Sequence, residues 1–365
     1  MPIRQDKKMI EIDSLSRQVL KNCEISDAQH AGLYSICGLA LRLRDLYKWE
    51  KDLNPWVEKD SSEILDWIGE KEQLWERLAE EKYADLSIAG KRYSPFNTAE
   101  INAVLESHGI LYGAGYAYSL KPTFFLAMIK NKSQTDGYTV YTLERELARD
   151  LLTLPVLSQD NLILLRTYSA KLFLWDQIAF IKKSGRPALR FALEHCGLKE
   201  QHSEALQHHM PAILATQKDN FIYHEIGEMK DATFDPDIWR ELIAAFPHSP
   251  IELLARAIKD LLADTTQHGT LCYLIRNRKT AALGFYVAFQ DGLLKELFPE
   301  LRAAFRDFTK SRDWRIIEEA VATGYRNAKN YTEKIVHIFQ TGKQNQQMQW
   351  AKNEIERRLL GKIKK

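Results

Sequence analysis

Residues 249–268 read SPIELLARAIKDLLADTTQH and carry the strongest helix signal in the chain. Ser249 is a favourable N-cap, Pro250 suits the first helical position, and Glu252 completes a capping box. Apolar side chains recur behind this start at helical spacing and predict one buried stripe: Ile251, Leu254, Ile258, Leu261, Leu262 and Thr265. The stretch therefore predicts a helix over 250–268 that packs into an α-helical core.

Further start signals predict helices on both sides of this stretch. Asp60 and Asn97 stand at N-cap positions, and Ser26 opens a capping box that predicts a helix over 26–50. From Leu143 onward the apolar spacing is helical almost without interruption. The predicted helices in this part of the chain include 143–153, 159–182 and 211–230.

One region has a different pattern. Asp136-Gly137 lies between two β-favouring runs, Thr123–Ile129 and Tyr138–Leu143. An Asp-Gly pair between such runs is typical of a hairpin turn, because both residues tolerate positive φ. We therefore predict a small β-hairpin near 112–143.

These signals together predict a mainly α protein. Its N-terminal part is α+β, with one small hairpin or sheet, and is followed by an all-α helical bundle. Pro155 and Ser158 fall between predicted helices and mark a boundary. The predicted domains are a helical domain with the hairpin over 1–155 and an all-helical bundle domain over 156–365.

Composition narrows the functional classes. The 365 residues include 51 basic and 49 acidic side chains, which gives a net charge of +2 and argues against a nucleic-acid partner. No apolar run is long enough to span a membrane. No apolar region follows the charges of residues 1–8, so we expect no signal peptide. The four cysteines form no C-x-x-C pair and are typical of free thiols in a reducing cytoplasm. We therefore expect a cytoplasmic protein that binds neither nucleic acid nor a membrane. The sequence leaves its partner unknown, with another protein or a second copy of the chain as the open options.

One candidate chemical site lies in the predicted helix 211–230. His224, Glu225 and Glu228 form the pattern H-E-x-x-E. His224 and Glu228 are four residues apart, about 40° in azimuth, and therefore share a helix face. Apolar side chains project onto the same face, namely Ile213, Leu214 and Phe221. The pattern predicts that His224 and Glu228 point inward, where an ionisable group needs a partner, a proton or a metal.

A second polar series follows on the predicted helix 250–268. Asp260, Asp264 and His268 recur at every fourth residue, with His268 at the edge of the apolar stripe. Asp260 is expected near solvent. If the two helices are neighbours, Asp264 and His268 converge with His224, Glu225 and Glu228. Carboxylates and imidazoles inside a helical bundle are typical ligands of iron or manganese.

The combination of H-E-x-x-E with D-x-x-x-H over residues 223–268 resembles the ligand pattern of helical haem-oxygenase-like di-iron oxidases, and more loosely that of ferritin-like carboxylate proteins. The resemblance implies a di-iron or di-manganese centre that uses oxygen, with His224, Glu228, Asp264 and His268 as metal ligands. Glu225 would be a ligand or the catalytic proton acceptor. Such sites also take a glutamate from an earlier helix, for which this sequence offers Asp176 or Glu194.

The alternative interpretation is that the same residues form structural polar pairs. A helical protein with ten histidines produces some His–Glu and Asp–His pairs at this spacing by chance. His224 and Glu228 would then hydrogen-bond each other or Arg256. Asp264 would pair with Arg240 or Lys259. Gly227, inside the same helix, costs about 1 kcal/mol relative to alanine and has no evident reason in the sequence.

A second distinctive string is LRLRDLYKWE, residues 41–50. Its arginines and aromatic side chains suit an anion- or partner-binding face, or an amphipathic helix end with ordinary surface ion pairs. The string resembles an uncharacterised bacterial family of mostly helical proteins. That resemblance implies no function.

Three functional interpretations remain open at this point. The first is a scaffold or protein-interaction module, with exposed apolar patches. The second is a metal-dependent oxidase-like enzyme, with iron or manganese between helices 211–230 and 250–268. The third is a small-molecule-binding protein whose pocket walls include Tyr223, Trp239 and Phe285.

Overall fold

The computed structural model of the chain describes residues 10–198 and 202–361. Contacts divide these residues into two units, with the division between Phe173 and Leu174. Residues 136–138 are grouped with the second unit. Each unit is described separately below.

Unit 1 combines helices with two sheets. Its elements are α1 (Ile12–His30), α2 (Ile36–Glu50), α3 (Ser61–Leu78), β1 (Leu86–Ile88), β2 (Lys91–Tyr93), α4 (Thr98–Leu105), β3 (Ile110–Tyr116), β4 (Pro122–Thr135), β5 (Tyr138–Arg149), β6 (Val156–Gln159) and β7 (Leu162–Arg166). Helix α5 (Thr167–Ala179) follows and contains the division between the units.

The larger sheet has five strands in the order β3-β4-β5-β7-β6. β3 pairs antiparallel with β4, β6 pairs antiparallel with β7, and β5 pairs parallel with β7. Both faces are covered, because side chains that alternate along β3 and β4 belong to two different cores. Tyr112 and Phe124 pack with α1 and α4, whereas Leu111 and Phe125 pack with Tyr141 and other side chains of the opposite face.

The predicted hairpin turn is confirmed. β4 and β5 are neighbours in the sheet and are separated only by Asp136 and Gly137. Both residues have positive φ, 48° and 91° respectively. Two consecutive positive φ values are typical of a type I′ turn, whose twist matches that of the flanking strands.

The predicted fold class is wrong in the N-terminal half, which holds a five-stranded and a two-stranded sheet rather than one small hairpin or sheet. Residues 143–149, predicted as helix, are the second half of β5, and residues 162–166, predicted within the helix 159–182, form β7. The string TLERELAR is rich in helix formers, but pairing within the sheet overrides that weak preference.

The predicted helix over 26–50 is also corrected. Ser26 does not cap a helix but lies buried inside α1, where its hydroxyl donates to the carbonyl of Pro122. α1 ends at His30, and α2 begins after Ser35, whose side chain accepts from the amide of Gly38. The N-caps predicted at Asp60 and Asn97 are confirmed.

Unit 2 consists of helices, as predicted for the C-terminal part. They are α6 (Arg186–His195), α7 (Ser203–Lys230), α8 (Pro236–Ala245), α9 (Pro250–Thr265), α10 (Thr270–Arg276), α11 (Thr280–Phe289), α12 (Gly292–Leu297), α13 (Pro299–Ser311), α14 (Trp314–Gln344) and α15 (Met348–Ile355). Helix α9 contacts α7, α10, α12 and α14, and its predicted apolar stripe is buried. In the described part of the chain, every helix is too short or too polar to cross a membrane.

Candidate metal centre

The candidate centre forms where α7 packs against the C-terminal end of α9. A Cβ atom at Gly227 of α7 would lie 2.0 Å from the carbonyl oxygen of Ala263, and one at Gly269 would lie 1.9 Å from the same oxygen. Only glycine permits so close an approach of the two backbones. This contact explains why position 227 holds glycine, a residue that is unfavourable inside a helix. It also shows that the two predicted helices are neighbours.

The close packing brings His224 of α7 to Asp264 of α9. His224 Nδ1 and Asp264 Oδ1 are 2.9 Å apart. Thr270 donates to the same carboxylate oxygen at 2.8 Å, and the hydroxyl of Tyr286 donates to the other oxygen at 2.8 Å. The Asp264 carboxylate is therefore fixed from three sides and in turn fixes the orientation of the imidazole.

The electrostatics of this pair favour a protonated imidazole. Burial opposes protonation, but the negative charge and hydrogen bond of Asp264, with the charges of Asp260 and Glu225, raise the pKa of His224 well above its usual range. Burial, followed by the charge of Asp264, also raises the pKa of the Tyr286 hydroxyl. Tyr286 therefore remains a neutral hydrogen-bond donor to Asp264.

His224, Glu225 and Glu228 form a cluster with metal-ligand spacing. One ring nitrogen of His224 and one carboxylate oxygen from each glutamate all lie within 4.8 Å of one another. Glu225 is buried, whereas the side chain of His224 is 27% exposed and that of Glu228 is 30% exposed. In this cluster Glu225 is therefore shielded from solvent, whereas solvent reaches His224 and Glu228.

Charged side chains of α9 border this cluster. Lys259 forms an ion pair with Glu228. Burial opposes ionisation of Glu228, but Lys259 and His224 lower its pKa. At Asp260, burial raises the pKa to about 6; the nearby His224 charge lowers it, and Glu228 and Asp264 raise it. Around His224 there are thus more carboxylates than cations, which favours a bound cation.

His268 lies apart from the cluster. α9 ends at Thr265 rather than continuing to 268, so the spacing of every fourth residue no longer places His268 on the same helix face. Its Nε2 lies 3.1 Å from Nε2 of Gln267. Asp176 and Glu194, the candidates for a glutamate-type ligand from an earlier helix, line other cavities that are described below.

Polar pairs form around the cluster, but their partners differ from those that the alternative interpretation names. Arg256 pairs with Glu252 of its own helix, and Arg240 pairs with Asp237. His224 instead pairs with Asp264. Sequence reasoning missed Thr270 and Tyr286, because nothing in the apolar run of α11 marks its one tyrosine as a partner of Asp264.

The donor set determines the chemistry that the cluster supports. One imidazole nitrogen and two carboxylate oxygens suit iron and manganese. A carboxylate that holds the second nitrogen of a ligating histidine is the usual arrangement around metal sites, because it fixes the tautomer and increases the basicity of the ring. Asp264 occupies this supporting position.

Comparison with known proteins identifies the family. One family model, the N-terminal domain of a family of unknown function (DUF6866), matches residues 14–166, and the model of its C-terminal domain matches residues 171–358. The chain belongs to the DUF6866 family. The resemblance to a family of unknown function is thus confirmed, while neither DUF6866 model describes a haem-oxygenase-like protein. No curated protein and no solved structure matches the chain.

The DUF6866 C-terminal domain contains the whole candidate centre, and the N-terminal domain contains a second buried polar cluster that sequence reasoning missed. Lys121, 1% exposed, lies 3.0 Å from Asp27 and 3.1 Å from Asp150. Its Nζ also donates to the Ser26 hydroxyl at 3.0 Å. Burial raises the pKa of Asp27 to about 7, with Lys121 acting against the shift and Asp150 adding to it. Two carboxylates thus share one buried ammonium group.

Proposed function

We propose that the DUF6866 C-terminal domain binds one iron or manganese ion and is a metal-dependent, oxidase-like enzyme. The ligands are His224, Glu225 and Glu228. The observation that carries the proposal is the convergence of their three ligand atoms within 4.8 Å, beside an imidazole that Asp264 holds. The ion, when bound, would activate oxygen or water.

Each side chain has a distinct role in this proposal. Because Nδ1 of His224 bonds Asp264, the ligand atom would be the other ring nitrogen, Nε2, which would release its proton when the ion binds. Asp264 positions the imidazole and does not itself bind the ion, since His224, Thr270 and Tyr286 already occupy its two oxygens. This differs from the ligand set that the sequence pattern suggests, in which Asp264 and His268 are ligands.

Asp260 is the group suited to proton transfer beside the ion. Its pKa, raised to about 6, lies closer to neutral pH than that of an ordinary carboxylate. It stands one helical turn before Asp264, on the α9 side of the cluster. The ion would be reached through the partly exposed edge that His224 and Glu228 form.

The metal content of the full chain tests the proposal. After anaerobic loading with Fe²⁺ or Mn²⁺ and removal of free metal, we expect about one ion per chain by mass spectrometry. His224→Ala and Glu228→Gln should each lose the ion. His268→Ala should keep it, because His268 lies outside the cluster. Glu241→Gln, which alters an exposed ion pair with Lys343, is the matched surface control.

The outcomes are distinct. Metal that persists in His224→Ala and Glu228→Gln, or protein that binds no metal after loading, would overturn the proposal. Loss of metal in His268→Ala would favour the ligand set inferred from the sequence. Two ions per chain would indicate a dinuclear centre and a further ligand set.

Exposed apolar side chains support a second candidate function, a protein-interaction module. Ile36, at the start of α2, is 90% exposed, and Leu65 of α3 is 64% exposed. We propose that these side chains contact a protein partner or a second copy of the chain. Sedimentation of the wild type beside Ile36→Ser with Leu65→Ser tests the second case: a dimer that dissociates in the variant supports it, and a monomeric wild type excludes self-association.

A further inference from the structure

A groove between α6 and α13 in unit 2 forms a cavity away from the metal centre. Its volume is about 490 Å³, within the range of small-molecule sites. The apolar part of its lining includes Pro187, Phe191, Val287, Pro299, Ala303 and Phe305. We call it the α6–α13 groove.

Charge in the α6–α13 groove is predominantly positive. Arg190 of α6 and Arg302 and Arg306 of α13 line it, against one acidic residue, Glu194. Apolar walls with an excess of arginine complement a ligand that has an apolar body and a negative end.

Arg302 is the cation best placed to bind such an end. Two of its guanidinium nitrogens donate to main-chain carbonyls, at 2.8 Å to Gln290 and at 3.4 Å to Ser184. Its Nε is buried without a hydrogen-bond partner. Among the described residues, no carboxylate lies within 4.0 Å of Arg302. The guanidinium is therefore held in place by main-chain carbonyls, and the carboxylates of Asp291 and Glu296 act on its charge without a direct ion pair.

A smaller cavity of about 240 Å³ shares Arg302 and Ser184 with the groove, and its charged lining also includes Lys182, Asp176 and Asp291. Gln290 lines this cavity and is only 4% exposed, yet neither atom of its side-chain amide has a hydrogen-bond partner. Buried amides in folded proteins are almost always paired with protein, water or ligand. A ligand group beside Arg302 would supply a partner for Gln290.

We propose that unit 2 binds an organic acid with an apolar chain at this place. The carboxylate accepts hydrogen bonds from Nε of Arg302 and from the side-chain amide of Gln290. The apolar chain lies in the α6–α13 groove, against the edge-to-face pair of aromatic rings that Phe191 and Phe305 form. This site is separate from the cluster around His224 and does not depend on a bound metal.

Three probes with the same chain test the charge requirement: octanoate, octylamine and octanol. Titration calorimetry on metal-free full-length protein, with each probe below its micelle concentration, should show binding of octanoate and at least tenfold weaker binding of the other two. Tenfold corresponds to about 1.4 kcal/mol, at the lower limit for a hydrogen bond to a charged group.

Variants locate the site. Arg302→Gln should weaken octanoate binding at least about tenfold. Ala303→Trp, at an exposed position on the groove wall, should block the apolar part without removing any hydrogen bond of Arg302. It therefore tests the site even if Arg302→Gln fails to fold. Arg315→Gln, which removes an exposed arginine of α14, is the matched control and should bind octanoate normally.

Absence of octanoate binding, equal binding of octylamine, or normal octanoate binding by both Arg302→Gln and Ala303→Trp would overturn the proposal. His224→Ala should bind octanoate like the wild type. A loss of octanoate binding in His224→Ala would assign the probe to the metal cluster instead and would likewise overturn the proposal. Failure of the metal proposal leaves these expectations unchanged.

Discussion

The α-carbon of Gly227 faces the carbonyl oxygen of Ala263 so closely that a Cβ atom there would lie 2.0 Å from it. This contact sets the separation of α7 and α9 at the place where His224 meets Asp264. The close backbone packing at Gly227 and the contact between His224 and Asp264 therefore depend on the same crossing of α7 and α9.

The first prediction concerns this crossing. Gly227→Ala should destabilise unit 2 by about 1–3 kcal/mol, because the new methyl group meets backbone that cannot move independently. An ordinary glycine inside a helix behaves in the opposite way. Gly69 in α3 has no neighbour within 4 Å of its potential Cβ position, so Gly69→Ala should stabilise the protein by about 0.5–1 kcal/mol. Urea unfolding of both variants measures the two effects, and equal signs would contradict the packing argument.

The second prediction concerns the pKa of His224. Asp264→Asn removes the negative charge that raises this pKa, so the pKa should fall toward the usual range for histidine. An NMR titration of the imidazole proton signals measures the change. The His224→Gln spectrum identifies the relevant signal among the ten histidines. Asp237→Asn, on the exposed surface of α8, should leave the titration unaltered, and an unshifted His224 in Asp264→Asn would contradict the assigned cause.

The third prediction concerns the buried ammonium group of unit 1. Lys121→Met leaves Asp27 and Asp150 buried without their shared cation, which should cost about 3–5 kcal/mol of stability. Adding Asp150→Asn should recover part of the loss, because Asp150 is the carboxylate whose pKa is lowered and which therefore carries the charge. Lys182→Met breaks an exposed ion pair with Asp291 and should cost no more than about 1 kcal/mol in chemical denaturation.

The fourth prediction is a pH dependence that originates at Asp27. Folding raises the pKa of this carboxyl from 3.8 to about 7, so in that interval the folded state keeps a proton that the unfolded state has released. The contribution of Asp27 to stability is therefore full below pH 3.8 and is lost as pH rises to about 7. Asp27→Asn should reduce this decline when unfolding free energies are compared between about pH 5 and about pH 8. A variant with the same slope as the wild type would contradict the assignment.

Helix starts could be predicted from the sequence where a side chain caps the first turn of its own helix. Ser249, for example, caps α9 as expected, and the amide of Glu252 donates to the Ser249 hydroxyl at 3.3 Å. The prediction from sequence failed at β5. Glu146 and Arg149 are typical of helix surfaces, but in the structure they are buried in a strand. Glu146 pairs with Arg166 at 2.9 Å, a contact that exists only once β7 is in place. No local pattern contains that information.

The candidate centre could likewise be predicted only in part. His224 and Glu228 share a face of α7 because their spacing is local. The packing of α7 against α9 brings Asp264 to His224, which the sequence predicted only on the condition that the two helices are neighbours. His268 could not be placed correctly from periodicity, since α9 ends at Thr265. Tyr286 comes from α11, and only the tertiary structure brings it to Asp264.

The parallel pairing of β5 with β7 determines where the N-terminal domain can be cut. A fragment that stops at residue 155 would lack β6 and β7 and would leave the backbone of residues 139–143 unpaired along one side. Uncovered strand edges associate with strands of other chains. Such a fragment would self-associate into intermolecular sheets. A fragment that continues to residue 173 would keep β7 paired along this side of β5.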